Sequence, residues 1–235
     1  MSIHTNILAN IAAIQARIDS ACQLYQRQSP PTLMAVTKTR NAAEIAAAID
    51  AGICDVGENY LQEALDKKAE LNSYNVNWHF IGPIQANKTR AIATHFDWVH
   101  SVDRAKLIQR LNDQRPDELA PLNICLQINI NDEDSKAGAA IEDAVELATL
   151  ALTQPRLTLR GLMAIPVNTD DNQQQRHNFA ALRAILSDLQ ETFPEAKLDT
   201  LSMGMSGDME SAIAEGATIV RIGSDIFGPR PTAAQ

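Results

Sequence analysis

Cysteine is scarce in this chain of 235 residues: only Cys22, Cys54 and Cys125. They are widely spaced, odd in number and form no C-x-x-C pair, so no disulfide framework is expected. Each reads as a small buried residue, and a reducing cytoplasm is the expected compartment. No apolar run approaches the ~20 residues that span a bilayer, and residues 1–10 lack the basic segment and apolar core of a secretory leader. Basic residues are outnumbered, with 20 Lys and Arg against 29 Asp and Glu, a net charge of −9. That excludes a general affinity for nucleic acid or for an anionic membrane, which both need a basic surface. It leaves room for an anionic small molecule held in a local pocket. The five histidines (His4, His79, His95, His100, His177) show neither H-x-x-x-H nor H-E-x-x-H spacing, so no metal is expected. The acidic run 131–138 lacks the spaced ligands and closing glutamate of a calcium loop and reads as a polar loop.

What the sequence does contain is a repeated alternation. A leading helix over Ile3–Gln28 carries Ile7, Leu8, Ile11, Ile14, Ile18, Cys22 and Tyr25 at helical spacing. Ser29-Pro30-Pro31 stops it, and such a helix is expected to cap the bottom of a barrel. From Leu33 onward, strands are expected at Leu33–Lys38, 54–57, Trp78–Gly82, Trp98–Val102, Leu122–Ile130, Leu157–Ile165, Leu198–Ser202 and Ile219–Gly223. The helices between them are expected at Ala42–Ala51, Tyr60–Leu71, Asn87–His95, Arg104–Asn112, Ala139–Leu152, Gln173–Gln190 and Asp208–Ala214, with a short turn at Asp225–Phe227. Alternating β and α segments imply parallel strands with crossover helices. Eight such units imply an α/β fold of the (β/α)8 TIM-barrel type, with one extra N-terminal helix, as a single domain over 1–235. The alternative, a doubly wound sheet, is disfavoured because no G-x-G-x-x-G follows the first strand.

In such a barrel, sites lie at the C-terminal ends of the strands. Lys38 ends the first strand there. A lysine desolvated by a pocket loses its charge more easily, and a neutral amine forms Schiff bases with carbonyl compounds. The other candidates on that face include Asn59, His79, Met163, Ser202 and the loops after strands seven and eight. Ser202-Met203-Gly204-Met205-Ser206 and Arg221-Ile222-Gly223-Ser224 combine glycines, hydroxyls and helix starts, the usual makings of a phosphate cradle. Ser206 alone reads equally well as a helix N-cap, and Gly204 and Gly223 as turn residues. Arg221 falls inside a strand pattern, where a buried guanidinium needs a partner; a ligand or an acidic side chain would serve. His79 also reads as a satisfied core histidine. Lys136, in the 131–138 loop, is a second lysine on the same face.

With these residues in view, the chain resembles the pyridoxal phosphate homeostasis protein family. The resemblance is carried by Ala35-Val36-Thr37-Lys38, Gly57-Glu58-Asn59-Tyr60, the run 78–88, Gln127-Ile128-Asn129-Ile130, Arg160-Gly161-Leu162-Met163-Ala164-Ile165 and the two loops just named. Their order and spacing together are specific. The resemblance implies a barrel like the N-terminal domain of alanine racemase, of the fold-type III pyridoxal-phosphate class. It implies that Lys38 holds pyridoxal phosphate as a Schiff base. It also implies that Ser206, Gly223 and Ser224, with the amide of Met205, hold the phosphate, and that Arg221 faces the pyridine nitrogen. Asn59, His79, Met163 and Ser202 are further candidates for the cofactor site, and Lys136 for transfer.

A racemase of this class needs a base on each face of the cofactor, one of them from a second domain. This sequence ends about ten residues after its last expected strand. The expectation is therefore a protein without turnover that stores, buffers or hands over pyridoxal phosphate, with apo-enzymes as partners, as a cytoplasmic monomer. The rivals are an amino-acid racemase and a Schiff-base aldolase without cofactor. Fold alone does not choose among them.

Overall fold

The computed structural model describes residues 3–131 and 137–229. It opens with α1 (Ile3–Leu24) and then alternates β1 (Thr32–Val36), α2 (Ala42–Asp50), β2 (Asp55–Glu58), α3 (Leu61–Glu70), β3 (Asn77–Phe80), α4 (Thr89–His95), β4 (Trp98–Val102) and α5 (Ala105–Gln114). It continues through β5 (Leu122–Gln127), α6 (Ala144–Leu152), β6 (Leu157–Met163), α7 (Asn172–Thr192), β7 (Thr200–Ser202), α8 (Met209–Ala214), β8 (Ile219–Ile222) and α9 (Ser224–Phe227). The strands close into one barrel in the order β1 to β8, β1 pairing with both β2 and β8. Every pairing is parallel, so all eight strand ends that carry side chains into loops open on one face. This is the (β/α)8 barrel expected from the alternation.

Local chemistry sets the element ends. Asn41 caps α2 by accepting from the Glu44 amide, and Glu44 returns a bond to the Asn41 amide, a capping box. Asp171 caps α7 by accepting from the Gln173 amide. Between strands and helices lies an apolar shell that includes Ile45, Ile92, Leu107, Leu111, Phe179, Leu182 and Ile213, all fully buried.

The leading helix does not cap the bottom of the barrel. It packs along α2, α8 and α9 in the outer ring. The physical reason is a vacancy there: the helix after β8 is a single turn of four residues, too short to cover the flank of its own strand. The apolar stripe Ile7, Ile11, Ile14, Ile18 is buried in that gap. Asn10 donates to the Ile226 carbonyl at 2.9 Å. Arg17 reaches Glu210 and Asp225, both at 2.8 Å, and donates to the Ser206 carbonyl at 3.2 Å.

The barrel interior is unusually polar. His79, His100, Ser202 and Arg221 are all buried and bonded to one another inside it, where layers of Val, Ile and Leu are the norm. The cysteines also depart from expectation: Cys125 is buried, Cys22 half-buried and Cys54 exposed. Cys54 sits just before β2 at the open bottom rim, which a composition argument cannot see. Burial pushes the Cys125 thiol up to about 12. A thiol-alkylating reagent at pH 8 is therefore expected to label Cys54 in the native protein and Cys125 only after denaturation, as read by peptide mass spectrometry; native labelling of Cys125 would contradict this packing.

Candidate functional site

The segment Thr37-Lys38-Thr39 leaves β1 under close control. Thr37 is buried; its amide donates to the Gly57 carbonyl at 2.9 Å and its hydroxyl to Glu58 Oε1 at 2.5 Å. Thr39 adopts φ 64°, in the left-handed region, which side chains other than glycine rarely occupy without external support. That support is a bond from the Thr39 amide to Glu63 Oε1 at 2.5 Å. Lys67 ties these groups together. Its Nζ donates to the Thr37 carbonyl at 2.7 Å, to Glu58 Oε1 at 2.7 Å and to Glu63 Oε1 at 2.5 Å. Both residues flanking Lys38 are thus fixed from beneath by one buried ionic cluster.

Sequence reasoning missed Lys67. The signal was there: Ala64, Lys67 and Leu71 share one helical stripe, and all three are buried. A lysine on a buried stripe implies a buried acid. Burial raises the Glu58 carboxyl above its ordinary value, against the opposing pull of Lys67 and Thr37.

Lys38 lies two residues beyond β1 and opens on a pocket of about 250 Å3. The rest of its lining is Val36, Asn59, Ile81, Ile165, Met205, Ser206, Gly207, Arg221, Gly223 and Ser224. A larger cavity of about 450 Å3 lies at the opposite end, lined by Leu8, Ile11, Gln15, Cys54 and Asp55 among others. It gathers no amine, guanidinium or paired hydroxyls, so its size does not make it the reactive site.

The phosphate-type loops are shaped by two glycines. Gly204 has φ 95°, and a Cβ there would lie 2.6 Å from that of Ala212, so only glycine fits. A Cβ on Gly223 would come within 3.3 Å of the Val36 carbonyl, which records how closely the loop after β8 passes over the end of β1. Ser206 and Ser224 stand on these loops beside the pocket. The Met205 amide donates to Asp208 Oδ1 at 2.6 Å, so an anion reaching that amide has to share or displace the carboxylate. Burial raises the Asp208 carboxyl, although the Met205 amide and Arg221 pull it down.

Arg221 is 4% exposed. Its partners are neutral oxygens: Nη1 donates to the Ser202 carbonyl at 2.5 Å and to Ser202 Oγ at 2.9 Å, and Nη2 to the Ala164 carbonyl at 3.0 Å. Among the described residues no carboxylate touches it. Burial draws the guanidinium down to about 10, with Asp208 opposing the drop, so it is cationic at neutral pH.

The structure brings Lys38, Asn59, Met205, Ser206, Arg221, Gly223 and Ser224 to one pocket. It places His79, Met163 and Ser202 elsewhere. Met163 is 1% exposed at the end of β6. Ser202 is buried under Arg221. His79 is the satisfied core histidine of the two sequence readings, bonded to Asp55 and His100. The reason is parity: β3 turns His79 into the barrel, where its neighbours reach both ring nitrogens. Lys136 lies outside the described residues. Ile81, Ile165 and Gly207 join the lining without having been singled out.

The residues present suit a phosphate-bearing aldehyde. They comprise an amine, two hydroxyls on glycine-shaped loops, a guanidinium and the buried Asn59 Oδ1, which has no hydrogen-bond partner among the described residues. A small molecule that supplies a donor would complete that atom.

Comparison with known proteins defines the class. The chain belongs to the alanine racemase N-terminal domain family, whose model matches residues 9–231. Within that class it belongs with the pyridoxal phosphate homeostasis proteins: the protein of that name from Pseudomonas aeruginosa is 56% identical over 228 residues, covering 96% of both chains. Among solved structures, PipY of Synechococcus elongatus with pyridoxal phosphate bound is 35% identical with a TM-score of 0.83, covering 94% of this chain and all of that one. Alanine racemase of Corynebacterium glutamicum shares the fold, with a TM-score of 0.71 at 15% identity; the match takes in 99% of this chain and 63% of that one. No helix among the described residues is long and apolar enough to cross a membrane.

Replacing Lys67 by Met is expected to destabilise the fold by about 3–5 kcal/mol, because it strands buried carboxylate charge. With the amine gone, the folded-state Glu58 carboxyl rises further above its unfolded value. The deficit is therefore smaller in acid and grows as pH rises through that folded value. Urea unfolding at pH 5 and pH 8 measures both; an equal deficit at the two pH values would contradict the role of Glu58.

Proposed function

We propose that this protein binds pyridoxal phosphate and serves to store, buffer and hand it over, with Lys38 as the covalent anchor. The observation that carries the reading is the meeting of Lys38, Arg221, Ser206 and Ser224 in one pocket of about 250 Å3. Names of close relatives and a relative's bound ligand support it.

When bound, pyridoxal phosphate supplies an aldehyde able to condense with a lysine amine. The chain's own residues do the rest. Lys38 presents its amine from a loop whose flanks are pinned by Lys67, Glu58 and Glu63. Ser206, Gly223 and Ser224 hold the phosphate through hydroxyls and amides. Arg17 steadies that cradle from outside by holding the Ser206 carbonyl. Arg221 meets the ring nitrogen. A guanidinium has only donors, and one held by neutral oxygens keeps the nitrogen opposite it unprotonated. That weakens the cofactor as an electron sink, which favours holding over amino-acid turnover. Asn59 completes the wall with its unfilled acceptor.

The purified protein incubated with pyridoxal phosphate is expected to show a near-visible Schiff-base band that is lost in Lys38→Ala. Borohydride reduction should place the label on Lys38 by peptide mass spectrometry. A colourless protein under these conditions refutes the reading. Racemisation of an added amino acid at an enzyme-like rate, above about 1 per second, replaces the carrier with the racemase.

A further inference from the structure

Five side chains from five different strands form one unbroken line through the barrel. Arg221 Nη1 donates to Ser202 Oγ at 2.9 Å. Ser202 Oγ lies 2.8 Å from His100 Nδ1, His100 Nε2 lies 2.9 Å from His79 Nδ1, and His79 Nε2 lies 2.9 Å from Asp55 Oδ1. The line starts at the Lys38 pocket, which Arg221 lines. It ends at Asp55, whose side chain is 16% exposed and borders the cavity at the opposite end of the barrel.

With both rings neutral, the carboxylate end sets the direction of every bond in the line. A guanidinium only donates, and an ionised carboxylate only accepts. Burial opposes ionisation of Asp55, but hydrogen bonds from His79 and Asn77 outweigh it and hold the carboxyl below its ordinary value. Ser202 Oγ accepts from Arg221, and its own proton goes to His100 Nδ1 where that ring carries its proton on Nε2. His100 then carries its proton on Nε2 and gives that bond to His79 Nδ1. His79 carries its proton on Nε2 and gives it to Asp55. Each ring has one donor and one acceptor, and each is used. None of these ring nitrogens, nor the Ser202 hydroxyl, is among the buried polar atoms left without a partner. Burial, with His79 and Arg221, pushes the His100 imidazole well below its ordinary value, which agrees with a neutral ring there.

The line also limits how Arg221 can turn. Both Nη1 protons and one Nη2 proton are committed to Ser202 and Ala164. The Nε proton and the second Nη2 proton have no acceptor among the described residues. If Ser202 lost its acceptor in His100, its hydroxyl proton would need another, and the buried guanidinium would lose the fixed oxygen that sets its rotation.

We propose that His100 and His79 are positioning residues for Arg221. The one-way chain from Arg221 to Asp55 holds the guanidinium in the rotation that leaves two N–H groups for the cofactor ring. The second half rests on the reading that Arg221 meets the ring nitrogen.

Two measurements separate the chain from that reading. In protein labelled with 15N-histidine and free of cofactor, NMR at neutral pH should find both His79 and His100 neutral and protonated on Nε2; His79→Gln and His100→Gln assign the signals. A ring protonated on Nδ1, or an imidazolium at either position, overturns the chain. In protein loaded with pyridoxal phosphate, the ratio of the two near-visible bands at fixed pH reports the proton on the cofactor. His100→Leu should change that ratio by about threefold or more, the effect of half a pKa unit. His100→Gln, which keeps one acceptor and one donor, should stay near wild type. Ser202→Ala is the second arm should His100→Leu fail to fold, and circular dichroism checks each variant. An unchanged ratio in a folded His100→Leu or Ser202→Ala overturns the positioning role. A wild-type protein with no near-visible band refutes the binding reading and the coupling to the cofactor, while the tautomers still decide the chain.

Discussion

A guanidinium buried at the centre of a barrel is the constraint around which this molecule is arranged. Arg221 is held by two backbone carbonyls and one hydroxyl, with no carboxylate in contact among the described residues. Burying an uncompensated cation is costly, and neutral oxygens with fixed orientation are the means of reducing that cost without cancelling the charge. The charge therefore remains available to the pocket. The polar interior follows from it: Ser202 needs an acceptor for its proton, His100 supplies one, and the requirement passes from ring to ring until Asp55 meets it near solvent.

A second buried charge cluster serves the other end of the pocket. Lys67, Glu58 and Glu63 fix the residues on both sides of Lys38. The backbone at Thr39 is held in the left-handed region by a bond that the cluster organises. Two cations, one beneath the Lys38 loop and one in the pocket lining, are thus handled differently. Lys67 is neutralised by direct carboxylate contact and acts through geometry. Arg221 is left charged and faces the ligand space. That division leaves the pocket with a donor-only cation beside the Lys38 amine and the Ser206 and Ser224 hydroxyls, the set on which the proposed binding of a phosphate-bearing aldehyde rests.

The outer ring contributes through the leading helix. Because the unit after β8 has only one helical turn, α1 occupies the open flank. From there Arg17 joins Glu210, Asp225 and the Ser206 carbonyl. The two loops that flank the pocket are therefore braced by a segment far away in sequence. The ion pairs themselves are half-exposed and contribute little to stability individually; their value lies in the carbonyl they hold in place.

The sequence by itself determined the barrel and the face that bears the site. Strand and helix periodicities are local patterns, and parallel strands send every C-terminal end to one side, so Lys38, Asn59, Ser206, Arg221, Gly223 and Ser224 were legible as neighbours. The tertiary structure decided which partners buried groups take. Ser202 finds His100 across 102 residues, Lys67 finds the Thr37 carbonyl across 30, and Arg17 finds Ser206 across 189. Periodicity cannot encode such pairings, because they depend on which way each strand turns its side chains once the barrel closes. For the same reason His79 left the pocket wall for the interior, the Met205 amide met Asp208, and α1 left the barrel bottom for the ring. Burial in a closed barrel forces each polar atom to find a partner within reach, and reach is settled only when all eight strands are in place.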